Sequence, residues 1–192
     1  MANVTIFGTG TMANAIGGVL ADGGSSVTYV GSADSGHASI EGDIVVLAVP
    51  FPAVDGILSD HADQLAGKTV VDITNPLDFS TFDSLVVPAG SSATEQIAQK
   101  LPSSRVLKAF NTTFAATLLS KKVGDLPTTV LVAGDDADAK SALISAVEAG
   151  GVSVVDAGSL KRAHELEALG FLLLTLAAGE KIAWTGGFGL VR

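Results

Sequence analysis

Val4-Thr5-Ile6-Phe7-Gly8-Thr9-Gly10-Thr11-Met12-Ala13 is the stretch that decides the fold. An apolar β-run ends in a Gly-x-Gly-x-x-Ala turn that opens straight into a helical pattern. Gly8 permits the tight turn, Gly10 lets the backbone approach a pyrophosphate, and Ala13 keeps the helix close to its strand. The unpaired N–H groups that begin such a helix then face the anion. A Gly-x-Gly-x-x-Gly alone is weak, because glycine-rich turns are common. Here a strand precedes the turn, a helix follows it, and a second apolar strand at 26–30 completes a βαβ unit. We therefore expect Gly8, Thr9, Gly10, Thr11, Met12 and Ala13 to form a dinucleotide-binding turn.

Working outward, further apolar runs lie at 44–49, 69–73, 106–110, 129–133 and 152–155. Most are continuous and rich in valine and isoleucine, as parallel strands covered on both faces are. Helical patterns at 12–21, 53–65, 93–101 and 137–149 alternate with them. The alternation predicts an α/β fold: a Rossmann-type, doubly wound, mainly parallel sheet whose strand order switches beside the first strand. Residues 31–43 are too few for a full crossover helix, so that helix is expected to be a stub or missing. From Ser159 the pattern becomes one long C-terminal helix, amphipathic first and then apolar nearly all round. A helix of that kind must be buried. The chain thus divides into a dinucleotide-binding domain, 1–158, and a C-terminal helix and tail, 159–192. The tail packs on that domain or, by preference, in a homodimer interface.

With 192 residues, 47% hydrophobic and only 16% charged, the chain has a substantial core and no disordered character. A net charge of −9 argues against nucleic acid and anionic membranes as partners. The absence of cysteine excludes disulfides, thiol nucleophiles and thiolate metal sites, and His37, His61 and His164 are too scattered to suggest a metal cluster. The apolar run from Ala168 to Gly179, about a dozen residues, is too short to span a bilayer. With no recognisable leader at the N-terminus, a soluble cytoplasmic protein is expected.

Ligands of open α/β sheets bind at the carboxyl ends of the strands. Besides the glycine turn, three stretches fall there. Gly31-Ser32-Ala33-Asp34 follows the second strand. About twenty residues beyond the turn, where an NAD site places an acid, stands Ser32, which favours NADP over NAD. No arginine accompanies it, so a 2′-phosphate would rest on Thr9, Ser32, backbone N–H groups and His37, and Asp34 keeps NAD open. Ala48-Val49-Pro50-Phe51-Pro52 offers an apolar wall beside a base or nicotinamide ring. Asp72-Ile-Thr-Asn75-Pro76 and Lys108-Ala109-Phe-Asn111 supply amides and hydroxyls, with Asp72 and Lys108 forming a buried pair or satisfying loop backbone. His164, Glu165 and Glu167 are expected to pair with Lys161 and Arg162 along their own helix. No metal ligands and no catalytic acid–base set emerge. Hydride transfer between two cofactors needs rings held in position more than side-chain chemistry, and a regulatory nucleotide-binding module or a reductase of a small imine or carbonyl compound remain alternatives.

These motifs together resemble the deazaflavin (coenzyme F420)-dependent NADP oxidoreductases across almost the whole chain. The resemblance runs through Gly8-Thr-Gly-Thr-Met-Ala13, Gly31-Ser32, Asp43-Ile-Val-Val-Leu-Ala-Val-Pro50, Val71-Asp-Ile-Thr-Asn-Pro76, Lys108-Ala-Phe-Asn111 and Asp156-Ala-Gly-Ser159. The cytosolic reductase domains of the six-transmembrane metalloreductases share the set. The resemblance implies NADP as cofactor, held by Thr9, Gly10, Thr11, Met12 and Ser32. It also implies a nicotinamide flanked by Val49, Pro50, Phe51 and Ala109, with Asn75 and Asn111 nearby. A small-molecule redox acceptor, a flavin or deazaflavin, is the implied second substrate. Two departures stand out: Ala33 replaces the arginine that commonly follows the serine and grips the 2′-phosphate, and the crossover is shortened. Trp184-Thr-Gly-Gly-Phe-Gly189 resembles the family's glycine-rich tail, which helps shape the second substrate's pocket.

Overall fold

The computed structural model describes residues 2–191. β1 (Asn3–Phe7) leads through the glycine turn into α1 (Thr11–Asp22) and β2 (Ser26–Val30). β3 (Ile44–Leu47), α2 (Phe51–Leu65), β4 (Thr69–Asp72), α3 (Ala93–Lys100) and β5 (Arg105–Lys108) follow. Next come α4 (Ala115–Ser120), a hairpin of β6 (Lys122–Val123) and β7 (Leu126–Pro127), then β8 (Thr129–Gly134), α5 (Ala137–Ala149) and β9 (Ser153–Gly158). After a 3-10 turn at Leu160–Arg162, α6 (Ala163–Ala178) closes the regular structure. The seven-stranded sheet has the order β2-β1-β3-β4-β5-β8-β9. β2 and β3 both pair with β1 in parallel, so the winding reverses beside β1, as expected from the sequence. Within this sheet every pairing is parallel except that of β5 with β8.

Strand alternation builds a core on each face of the sheet. Val4, Ile6, Ile44, Val46, Val71 and Leu107 point to one side, against α1 and α5. Phe7, Val45, Leu47, Val70 and Val106 point to the other, against α2 and α3. The strand expected at 106–110 stops at Lys108, because Phe110 takes up the left-handed region (φ 64°) and turns the chain. The helix expected from 53 begins at Phe51, since proline is tolerated in a first helical turn. α4 and the β6–β7 hairpin were not anticipated. Residues 31–43 contain no helix at all, in keeping with their length. One face of α6 (Leu166, Glu167, Gly170, Leu173 and Ala177) is buried within this chain, while Ala168 and Leu172 are exposed.

Candidate functional site

The reversal of winding opens a cleft of about 350 Å³ at the carboxyl ends of β1, β2 and β3. Gly8 forms its floor. The Gly8 N–H donates to the carbonyl of Val30 (2.9 Å), and Ala48 N–H donates to the carbonyl of Phe7 (2.9 Å), so three strand ends are tied together there. Gly8 has φ 120°, and a Cβ at this position would run into the Ala48 carbonyl oxygen. Only glycine fits. Gly10 is the N-cap of α1 and has no side-chain cap, and a Cβ placed on it would meet nothing. Asn14 Nδ2 donates to the carbonyls of Thr9 (2.9 Å) and Gly10 (3.0 Å), which braces the turn from behind. The first N–H groups of a twelve-residue helix are thus left without a capping side chain beside an open, glycine-lined approach, the arrangement that suits a pyrophosphate.

At the β2 end, side chains from α2 do the work of the missing crossover helix. His61 is buried, packs against Phe7 (ring centroids 5.3 Å apart) and bonds the Ser35 carbonyl through Nε2. Gln64 accepts from the Ile40 N–H (2.9 Å) and donates to the Ala38 carbonyl (3.1 Å). Ser35 Oγ donates to the Ser32 carbonyl (3.0 Å), closing the loop on itself. Ser32 and Ser35 both line the cleft, and among the described residues Asp60 is the one charged residue that does.

Beyond β4 and β5 lies a second polar cluster. Asn75 Nδ2 donates to the Asn111 carbonyl (3.0 Å), and Asn111 Nδ2 donates to Asn75 Oδ1 (3.0 Å) and to the Leu166 carbonyl of α6 (2.7 Å). The left-handed turn at Phe110 swings Asn111 back to meet Asn75. Beneath the pair, Lys108 Nζ contacts Asp72 (2.8 Å), Glu167 (3.0 Å) and the Thr74 carbonyl (2.6 Å). Glu167 also accepts from the N–H groups of Ala93 (2.9 Å) and Thr94 (3.2 Å) at the start of α3. All three charged groups are buried. Asp72 and Lys108 therefore both pair and hold loop backbone. Glu167, expected to pair along its own helix, faces inward instead, because α6 packs that face on β4, β5 and α3. Only Arg162–Glu165 makes the intrahelical pair (3.1 Å).

Comparison with known proteins agrees with this architecture. The F420-dependent NADP reductase of Methanocaldococcus jannaschii is 31% identical over 153 residues, which cover 78% of this chain and 68% of that protein. The chain belongs to the F420-dependent NADP reductase family. These are oxidoreductases. The family model "NADP oxidoreductase coenzyme F420-dependent" matches residues 32–76, the segment that carries the short loop, β3, α2 and β4. A crystal structure from Arthrobacter sp. FB24, provisionally named an F420-dependent NADP reductase, superimposes over the full length of both chains with a TM-score of 0.85 at 27% identity. The rat metalloreductase STEAP3 is 34% identical over 130 residues, 68% of this chain and 25% of that protein.

Within the family frame, the structure brings together Gly8, Thr9, Gly10, Gly31, Ser32, Ala48, Val49 and Pro50 around the cleft. Thr11, Met12 and Ala13 form the first turn of α1, with Thr11 exposed and Ala13 packed in the core. Phe51 begins α2 and packs against the core on that face. Asn75, Pro76, Ala109 and Asn111 gather at the β4 and β5 ends, outside the cleft lining, with Pro76, Ala109 and Asn111 buried. Sequence reasoning missed Asn14, Ser35, Ala53, Gly56, Ile57 and Asp60. The last four had a readable signal: at i, i+3, i+4 and i+7 they share one face of α2, and it faces the cleft. Among the described residues, no group of three or more His, Cys, Asp or Glu side chains could hold a metal ion.

Proposed function

We propose that this chain is an NADP(H)-dependent oxidoreductase that moves hydride between the nicotinamide and a flavin- or deazaflavin-like acceptor. The observation that carries this reading is the uncapped start of α1 behind Gly8 and Gly10, where a side chain at Gly8 would collide with Ala48. NADP, when bound, supplies the hydride chemistry. The chain's own residues bind, orient and exclude water. Gly8, Thr9, Gly10, Thr11, Met12 and Ala13 hold the pyrophosphate, and Gly31 and Ser32 hold the adenosine phosphate end. Ala48, Val49, Pro50 and Phe51 form the apolar wall, and Asn75, backed by the buried Pro76, Ala109 and Asn111, stands on the nicotinamide side. Among the described residues the cleft lining has no base or acid beyond Asp60, which suits a reaction run by two positioned rings. The names of the relatives support NADP and F420 as the pair of reactants. The exposed face of α6 and the apolar tail support a homodimer.

Titration of the cofactor-free protein with NADPH, followed by nicotinamide fluorescence and then by addition of F420 or FMN, tests the reading. The expected result is saturable binding followed by loss of NADPH on adding one acceptor. Binding with no oxidation by either acceptor would move the protein toward a nucleotide-binding module or a small imine or carbonyl substrate. No binding at all would remove the site.

A further inference from the structure

Asp60 occupies an unusual place in this cleft. It lies on the cleft face of α2, one helical turn beyond Gly56 and Ile57, and is the only charged residue among those lining the cavity. Its carboxylate is beside the loop that carries Ser32 and Ser35, and a Cβ on Gly36 would sit 3.7 Å from Asp60 Oδ2. It makes no ion pair or side-chain hydrogen bond of its own among the described residues, whereas Asp55 on the same helix pairs with Lys100 (2.6 Å). Among the described residues no lysine or arginine lines the cleft to offset it, and Ala33 leaves none beside Ser32 in the sequence.

We propose that Asp60 is the residue that sets nucleotide preference in this cleft, opposing the adenosine 2′-phosphate and accepting hydrogen bonds from a free ribose hydroxyl. Asp60 thereby narrows, without reversing, the preference for NADP(H) proposed above, so that NADH binds as well. This rests on the cleft being a dinucleotide site, as proposed above. A 2′-phosphate brings close to two negative charges at neutral pH. Here the described cleft lining offers it hydroxyls, backbone N–H groups and one carboxylate, with His37 exposed on the same loop outside that lining, within a chain of net charge −9. A free 2′-hydroxyl meets the same carboxylate as an acceptor. In dinucleotide sites that role ordinarily falls to an acid at the end of the second strand. In this chain the loop after β2 offers Ser32 at that point, and the acid comes from the opposite wall, on α2.

The test compares dissociation constants for NADPH and NADH, by nicotinamide fluorescence, in the unaltered protein, Asp60→Asn and Asp60→Glu, each at low and high salt. The unaltered protein is expected to favour NADPH by no more than about fivefold, and Asp60→Asn to shift the ratio further toward NADPH by about tenfold. That shift should shrink as salt screens the charge, and Asp60→Glu should keep the unaltered ratio. A ratio that Asp60→Asn leaves within about twofold of its starting value overturns the proposal, even if both affinities fall together as a damaged loop would make them. An unaltered protein that prefers NADPH by more than about tenfold overturns it as well. If no variant binds either nucleotide, the cleft itself has been misassigned, an outcome distinct from both.

Discussion

Lys108 is fully buried between Asp72 and Glu167, and its third hydrogen bond goes to the Thr74 carbonyl. Each partner in turn holds backbone. Asp72 Oδ1 accepts from the Thr74 N–H (2.8 Å), and Glu167 accepts from the first N–H groups of α3. One ammonium thus fixes the turn just before Asn75 and fastens α6 to α3. Breaking a buried pair by removing one partner leaves the other charge uncompensated, which costs about 3–5 kcal/mol. Lys108→Ala strands two carboxylates and one carbonyl at once, so the unfolding free energy from urea titration should fall by that amount and the melting temperature by about 10 °C. A loss below about 1 kcal/mol would mean that water or rearrangement replaces the ammonium. Gly8 illustrates a different kind of constraint, since positive φ and the nearness of Ala48 exclude every side chain there.

At the scale of elements, the strands were legible because each is a short apolar run flanked by turn residues, and a parallel strand buried on both faces has no polar alternation to blur it. The cleft was legible to the extent that the glycine turn and the strand ends build it. The α2 wall was not, because the helical spacing at 53, 56, 57 and 60 does not say which way that face is turned, and the helical pattern in the sequence starts only at residue 53. Glu167 was misplaced for a related reason: a helix apolar on nearly every side does not announce which face packs inward, and a buried carboxylate is explained only by a lysine and two N–H groups far off in sequence. α5 is fastened to β9 by a pair that was not anticipated, Lys140 with Asp156 (2.8 Å). The hydrogen bond from Lys140 is the largest influence on Asp156. Together with the Gly158 N–H and the Lys140 charge it outweighs partial burial, and the carboxyl pKa lies below its ordinary 3.8. A depressed carboxylate stabilises the fold above its unfolded pKa and loses that contribution as pH falls through the folded value. Asp156→Asn should therefore cost no more than about 0.5 kcal/mol at neutral pH, given the exposure of the pair. The difference from the unaltered protein should vanish in denaturation curves taken in acid well below pH 3.8. A difference that persists there would assign the effect to packing.

The molecule as a whole leaves apolar side chains uncovered near its C-terminus. Leu172 is 49% exposed, Trp184 53% and Phe188 45%, although Trp184 also rests on Phe114 (ring centroids 5.0 Å apart). None of the described helices is long and apolar enough to cross a membrane. A second copy covering this region would explain the exposure. The protein is expected to sediment as a dimer at micromolar concentration and Leu172→Glu as a monomer. A monomer in both cases would count against the assembly. The reversed pairing of β5 with β8 has a consequence for chain routing. Because β8 and β9 run opposite to β1–β5, the chain leaves β9 heading toward the amino ends of those strands, away from the cleft. Its final segment must therefore reverse direction to reach the cleft side. α6, sixteen residues and about 24 Å long, is that return stroke. It passes Glu167 beneath Lys108 and brings Gly170 so close to Asn75 and Asn111 that a Cβ would overlap them. The direction of one strand near the edge of the sheet thus determines which end of the molecule the C-terminal residues serve.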